Sequence, residues 1–190
     1  MTHTSVRAGA LALLTVIAVA CGSGAPSSAP QSATPSPSAP PATFSDYDAA
    51  LCGAFTSLIR AYGNPDTNSA SVMRKTLEDA IAAGDKAAAE RASTAMLNEL
   101  EAGRRLAATA ARWQPGAATA ISLDRLLQAF EAWTSAELAL TANPSAIDPQ
   151  KAFERAGGVE AWTATLQGVG TTPVPSGASP LPCRAFSGEV

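Results

Sequence analysis

The sequence predicts an all-α fold: an antiparallel up-down bundle of four to five helices over residues 44–170. Three observations predict it. No sustained alternation of β-branched residues occurs in that span, so strand signals are nearly absent. Larger apolar residues instead recur at spacings of three and four, the repeat of one helical face. Clusters of Gly, Pro and Asn cut the pattern into long pieces joined by short connections, which makes consecutive helices antiparallel neighbours.

The elements follow in order. Ser45-Asp46-Tyr47-Asp48 fits a capping box, with Phe44 before the cap. Tyr47, Leu51, Phe55, Leu58 and Tyr62 then form one stripe, and Gly63-Asn64-Pro65-Asp66 stops the helix. A second helix is expected from about Ser71 to Ala83, with Met73, Leu77 and Ile81 facing inward. Arg74/Glu78 and Lys75/Asp79 are spaced as ion pairs on its other side. Gly84 suits the end of that helix and Asp85 the start of the next. The third helix runs from about Lys86 to Trp113. Its stripe is Met96, Leu100, Gly103, Ala107 and Ala110, flanked by Leu97 and Leu106. Small residues dominate this face, so a neighbouring helix can approach closely.

Trp113-Gln114-Pro115-Gly116 is a tight break before a fourth helix, about Ala118 to Ala142. Leu123, Leu126, Leu127, Phe130, Trp133, Leu138 and Leu140 give it a broad apolar face. Helices three and four should pair as a hairpin, with positions mirrored about residue 115 facing each other, Leu100 near Phe130 and Leu97 near Trp133. Asn143-Pro144 ends the fourth helix. Asp148-Pro149 is an N-cap with proline at the first helical position. A fifth segment starts there with Phe153 inward, is broken or kinked at Gly157-Gly158, and continues through Val159, Trp162 and Leu166.

Composition narrows the function classes. Of 190 residues, 43 are alanine and only 15% are charged, so about two dozen larger apolar side chains must carry the core. Sixteen acidic residues outnumber thirteen basic ones, which argues against binding nucleic acid by phosphate neutralisation. The one histidine is His3, at the N-terminus. A bundle without histidine cannot build a Ser-His-Asp or Cys-His centre or a histidine metal site. No phosphate-binding glycine loop, dinucleotide motif, nucleophile elbow or calcium loop occurs. The expectation is therefore no catalytic residues, no metal ligands and no cofactor.

The N-terminus reads as an address. Arg7 precedes an apolar run from Ala8 to Ala20 that spans about 20 Å as a helix, short of a ~30 Å hydrocarbon core. It is a signal-peptide core rather than a membrane span. The run ends Ala18-Val19-Ala20-Cys21-Gly22. Small residues directly before a cysteine resemble the lipobox of bacterial lipoprotein precursors, although that family usually has Leu where this chain has Ala18. The resemblance covers residues 1–21 only. It implies cleavage after a signal peptide of residues 1–20, a diacylglyceryl group on Cys21, and anchoring to the outer face of the cell membrane. Residues 21–43 then form a lipidated, Ser/Ala/Pro-rich tether too polar to fold, reaching at most about 70 Å as polyproline II.

Cys52 lies on the first helix and Cys183 in the irregular tail, 171–190. With Cys21 acylated these are the remaining thiols, and an extracytoplasmic setting favours a disulfide between them that ties the tail back. The function expected is a non-catalytic interaction or envelope-structural module with an unidentified protein or envelope partner. The alternative is a small-ligand-binding or sensor domain, with Phe130, Trp133 and Glu137 as the candidate pocket. Glu99 and Glu131 could approach each other across the hairpin, and a half-buried Glu137 would need a cation such as Arg91 or Arg60.

Overall fold

The computed structural model describes residues 42–64 and 69–178. The signal segment, Cys21, most of the tether and Cys183 lie outside the described residues. Six helices form the domain: α1 (Phe44–Tyr62), α2 (Val72–Ala82), α3 (Lys86–Ala110), α4 (Ala117–Ala142), α5 (Pro149–Arg155) and α6 (Gly158–Thr171). The chain is all-α, apart from a two-residue antiparallel pairing of β1 (Gly63–Asn64) with β2 (Ser69–Ala70). Among the described residues no helix is long and apolar enough to cross a membrane.

The helix ends obey local chemistry. Ser71 caps α2, Asp85 caps α3 and Asp148 caps α5, each accepting a hydrogen bond from the backbone N–H three residues on. The start of α1 differs from the expected Ser45 box. Thr43 is the cap: its hydroxyl accepts from the Asp46 N–H at 3.2 Å, and the Asp46 carboxylate accepts from the Thr43 N–H at 3.1 Å. The box is the same chemistry two residues earlier. This leaves Asp48 inside the helix, where it is buried. The expected fifth segment is two helices, because Gly157 adopts a left-handed conformation at φ 76° and the Phe153 ring lies across Gly158.

The hairpin α3–α4 is the spine, closed by a 3-10 turn at Gln114–Gly116. Its register is the mirror about residue 115: Gly103 faces Leu127, and Arg104 reaches Asp124 at 3.0 Å. Helix α1 runs antiparallel to α3, with Gly53 against Leu106, Gly103 against Ser57, and Arg60 paired with Glu99. Helix α2 also packs on α3, while α5 and α6 pack on the far side of α4. The predicted stripes of α1–α4 form the core. Tyr47, Leu51, Leu77, Met96, Leu100, Leu123, Leu126 and Leu127 are fully buried, each aliphatic one contributing about 2 kcal/mol of transfer energy. The predicted stripe of α6 does not: Val159 and Leu166 are exposed, and Gly158, Ala161 and Thr165 are buried instead. The break at Gly157 starts a new helix whose small-residue face packs on α4, with Gly168 against Thr119, so the larger side chains turn outward. The two ends of the domain differ. Phe44, Tyr47 and Trp113 cluster at the hairpin turn, and Tyr62, Phe130, Trp133 and Phe153 at the opposite end.

Candidate functional site

The aromatic cluster at the open end backs a cleft of about 370 Å³. Its positions come from local events. Gly63 leaves α1 at φ 104°, a conformation open to glycine, and its missing Cβ lets Ser69 and Ser71 pass close by. The Ser71 hydroxyl donates to the Ala61 carbonyl, and its N–H to the Tyr62 carbonyl at 3.2 Å. The start of α2 is thereby pinned beside the end of α1. Helix α1 supplies Leu58 and Tyr62, α2 supplies Arg74 and Glu78, α4 supplies Phe130, and α6 supplies Trp162. Gly63, Asn64, Ser69 and Ala70 form the strand-pair edge.

Tyr62 organises the floor. Its ring centre is 4.4 Å from that of Phe130, and its hydroxyl lies 2.6 Å from Thr134 Oγ1 and 3.1 Å from the Phe130 carbonyl. Burial pushes the phenol well above the ordinary tyrosine range, and the nearby Glu137 charge adds to the shift, so it stays a neutral structural group. Arg74 forms one wall. Its Nε donates to Glu78 Oε1 at 2.8 Å, and its guanidinium carbon lies 5.4 Å from the Tyr62 ring centre and 5.7 Å from that of Trp133. Both are cation–π distances.

Glu137 stands behind this wall rather than in the cleft. Trp133 Nε1 donates to its Oε1 at 2.7 Å, an i,i+4 bond along α4. The other carboxylate oxygen, Oε2, is buried with no partner. Burial raises the carboxyl above the ordinary glutamate range, only partly offset by the Trp133 hydrogen bond and the Arg74 charge.

Of the three pocket residues expected from sequence, Phe130 lines the cleft, whereas Trp133 and Glu137 support it from behind Arg74. The cation nearest Glu137 is Arg74, not Arg91 or Arg60. Arg74 and Glu78 were legible only as a surface ion pair, because the spacing that pairs them says nothing about which surface α2 covers. Glu99 and Glu131 do not pair with each other. Arg60 sits 3.7 Å from Glu99, and Arg104 bridges Asp124 and Glu131 at 3.0 and 3.2 Å. Burial raises the Glu131 carboxyl, with Arg104 opposing the shift. Among the described residues no group of three or more Asp, Glu, Cys or His is placed to hold a metal ion. Cys52 is disulfide-bonded, and its partner lies outside the described residues.

No protein-family model, curated protein or solved structure matches the chain.

Proposed function

We propose that this chain is a lipid-anchored protein of the bacterial envelope whose helical domain binds a small molecule in the cleft between α1, α2, α4 and α6. The lipobox-like Ala18-Val19-Ala20-Cys21 supports the anchor, with the diacylglyceryl group on Cys21 and the tether carrying the domain away from the membrane. One observation carries the binding reading. The cleft has an aromatic floor of Tyr62, Phe130 and Trp162, and among the described residues its charged groups, Arg74 and Glu78, both come from α2. Ligand sites characteristically combine an apolar surface with a few directed polar groups, and this cleft offers both. Its volume of about 370 Å³ lies within the roughly 300–1,000 Å³ of small-molecule clefts.

The test uses the full-length chain exported from a bacterial host and kept oxidised. Labelled palmitate should enter the wild type and be lost in Cys21→Ser. Native mass spectrometry from detergent should show a small bound mass released on unfolding. Ala70→Trp, which fills the cleft from its exposed edge, should abolish that mass while leaving the unfolding transition cooperative. A wild-type chain that carries no extra mass and gives no thermal shift with a metabolite panel overturns the binding reading. Equal occupancy in Ala70→Trp overturns the placement in this cleft.

A further inference from the structure

Arg74 is held on one edge and open on the other. Its Nε is spent on Glu78, and its guanidinium carbon lies within cation–π distance of both Tyr62 and Trp133. Neither Nη1 nor Nη2 donates a hydrogen bond to a described residue. The side chain is 31% exposed and lines the cleft, and its two Nη groups carry four N–H protons with no acceptor among the described residues. A planar fork with a free edge is the geometry that takes two carboxylate oxygens at once.

We propose that the cleft selects a compact apolar or aromatic monocarboxylate, its body on Tyr62, Phe130 and Trp162 and its carboxylate on the free Nη edge of Arg74. This rests on the ligand-binding reading above and names the ligand class. Three features favour it over neighbouring chemistries. The Arg74 guanidinium already lies within cation–π distance of Tyr62 and Trp133, so an organic cation approaching those rings would meet a like charge. Among the described lining residues Glu78 is the other charge, so there a dianion such as phosphate would meet one cation and one repelling carboxylate. Glu78 is the more exposed of the two, 47% against 31%, so water screens it better than it screens Arg74. The apolar area beneath accounts for the body of the ligand. Glu137 stays outside the lining, with one oxygen occupied by Trp133.

Three probes of nearly equal shape separate the possibilities: 3-phenylpropanoate, 3-phenylpropanamide and 3-phenylpropylammonium, titrated calorimetrically into the full-length oxidised chain in detergent. The acid should bind about ten- to a hundredfold more tightly than the amide, as expected for charge-assisted hydrogen bonds. The ammonium should bind more weakly than either. Arg74→Met keeps the stem against the rings and removes the fork. It should erase the preference for the acid and leave amide affinity within about twofold. Glu78→Gln removes the repelling charge while keeping a carbonyl oxygen to accept from Arg74 Nε, and should strengthen acid binding severalfold.

An amide or ammonium that binds as tightly as the acid overturns the monocarboxylate assignment. So does an acid preference that survives Arg74→Met, or acid affinity that falls or stays level in Glu78→Gln. Failure of this inference is distinguishable from failure of the binding reading. A chain that carries a native ligand, or binds the amide or ammonium, yet shows no acid preference loses only the ligand class. A chain that carries nothing and binds none of the three loses both.

Discussion

Two glycines at helix–helix contacts should respond to the same substitution with opposite signs. Gly53 on α1 and Gly103 on α3 both face a neighbouring helix. A methyl group added at Gly53 would meet Leu106 Cδ1 at 2.8 Å, and one added at Gly103 would meet Ser57 Cβ at 2.9 Å. The distances are nearly equal, but the obstacles differ. Leu106 Cδ1 is the far end of a flexible side chain that is already 36% exposed, so it can rotate toward solvent. Ser57 Cβ is fixed to the backbone, and at Gly103 the Ala54 carbonyl oxygen and Leu127 Cδ1 crowd the same point at 3.3 Å. Relief there requires α1 and α3 to move apart.

Replacing glycine by alanine within a helix contributes about 0.8–1.0 kcal/mol. Overpacking a tight contact costs about 1–3 kcal/mol. Gly53→Ala should therefore stabilise the domain by about 0.5 kcal/mol after some loss of Leu106 burial. Gly103→Ala should destabilise it by about 1 kcal/mol, or about 4 °C in midpoint for a domain of this size. Urea and thermal unfolding of the oxidised chain, followed by helical circular dichroism, measure both. A Gly103→Ala variant as stable as the wild type refutes the claim that the α1–α3 approach is backbone-limited. Equal destabilisation by the two substitutions refutes the distinction between a flexible and a fixed obstacle.

Three further outcomes are expected. Tyr62→Phe removes a buried hydroxyl but leaves Thr134 bonded to the Phe130 carbonyl at 2.9 Å, so urea denaturation should show a loss of only about 1 kcal/mol. A loss beyond about 3 kcal/mol would mean that the hydroxyl anchors more than this pair. Glu137 has a folded-state pKa raised above the ordinary 4.5, so its favourable contribution is complete below that pH and is lost as pH rises through the folded value. Wild type should therefore gain stability relative to Glu137→Gln as the pH of the denaturation series is lowered from 7 to 4. A gap that does not change with pH contradicts burial as the cause. Finally, non-reducing peptide mapping should recover Cys52 linked to Cys183. For a closed loop of about 130 residues, Cys52→Ala should then cost up to about 5 kcal/mol on the chain-entropy account. Recovery of any other linkage would show that the C-terminal tail is not tied to α1.

Helix positions were legible because their causes are local. The Tyr47–Tyr62 and Met96–Ala110 stripes, the Asp85 and Asp148 caps and the Pro115 break each depend on residues within a turn or two. The α3–α4 register was equally readable, since a short turn between two long helices leaves one mirror axis. The cap of α1 was displaced because Thr43 and Ser45 both start an acceptable box, and local spacing does not choose between them. Packing leaves Asp48 buried within α1 when Thr43 is the cap.

The cleft was only partly visible. The sequence placed Phe130 on an apolar face with Trp133 and Glu137 close behind, and put Tyr62 and Trp162 on the stripes of their own helices. It could not place Arg74, whose role depends on the turn at Gly63 swinging the start of α2 against the end of α1. Spacing along a helix determines which residues share a face. Which helix covers that face is decided by contacts between residues far apart in the chain, such as Tyr62 with Thr134 and Phe130 with Phe153. The sequence by itself therefore determined the helices, the inward stripes of α1–α4 and the candidate membrane address, whereas packing on α4 turned the small-residue face of α6 inward instead of Val159 and Leu166. Only tertiary packing decided that four of those helices leave an aromatic cleft with one half-committed guanidinium on its wall.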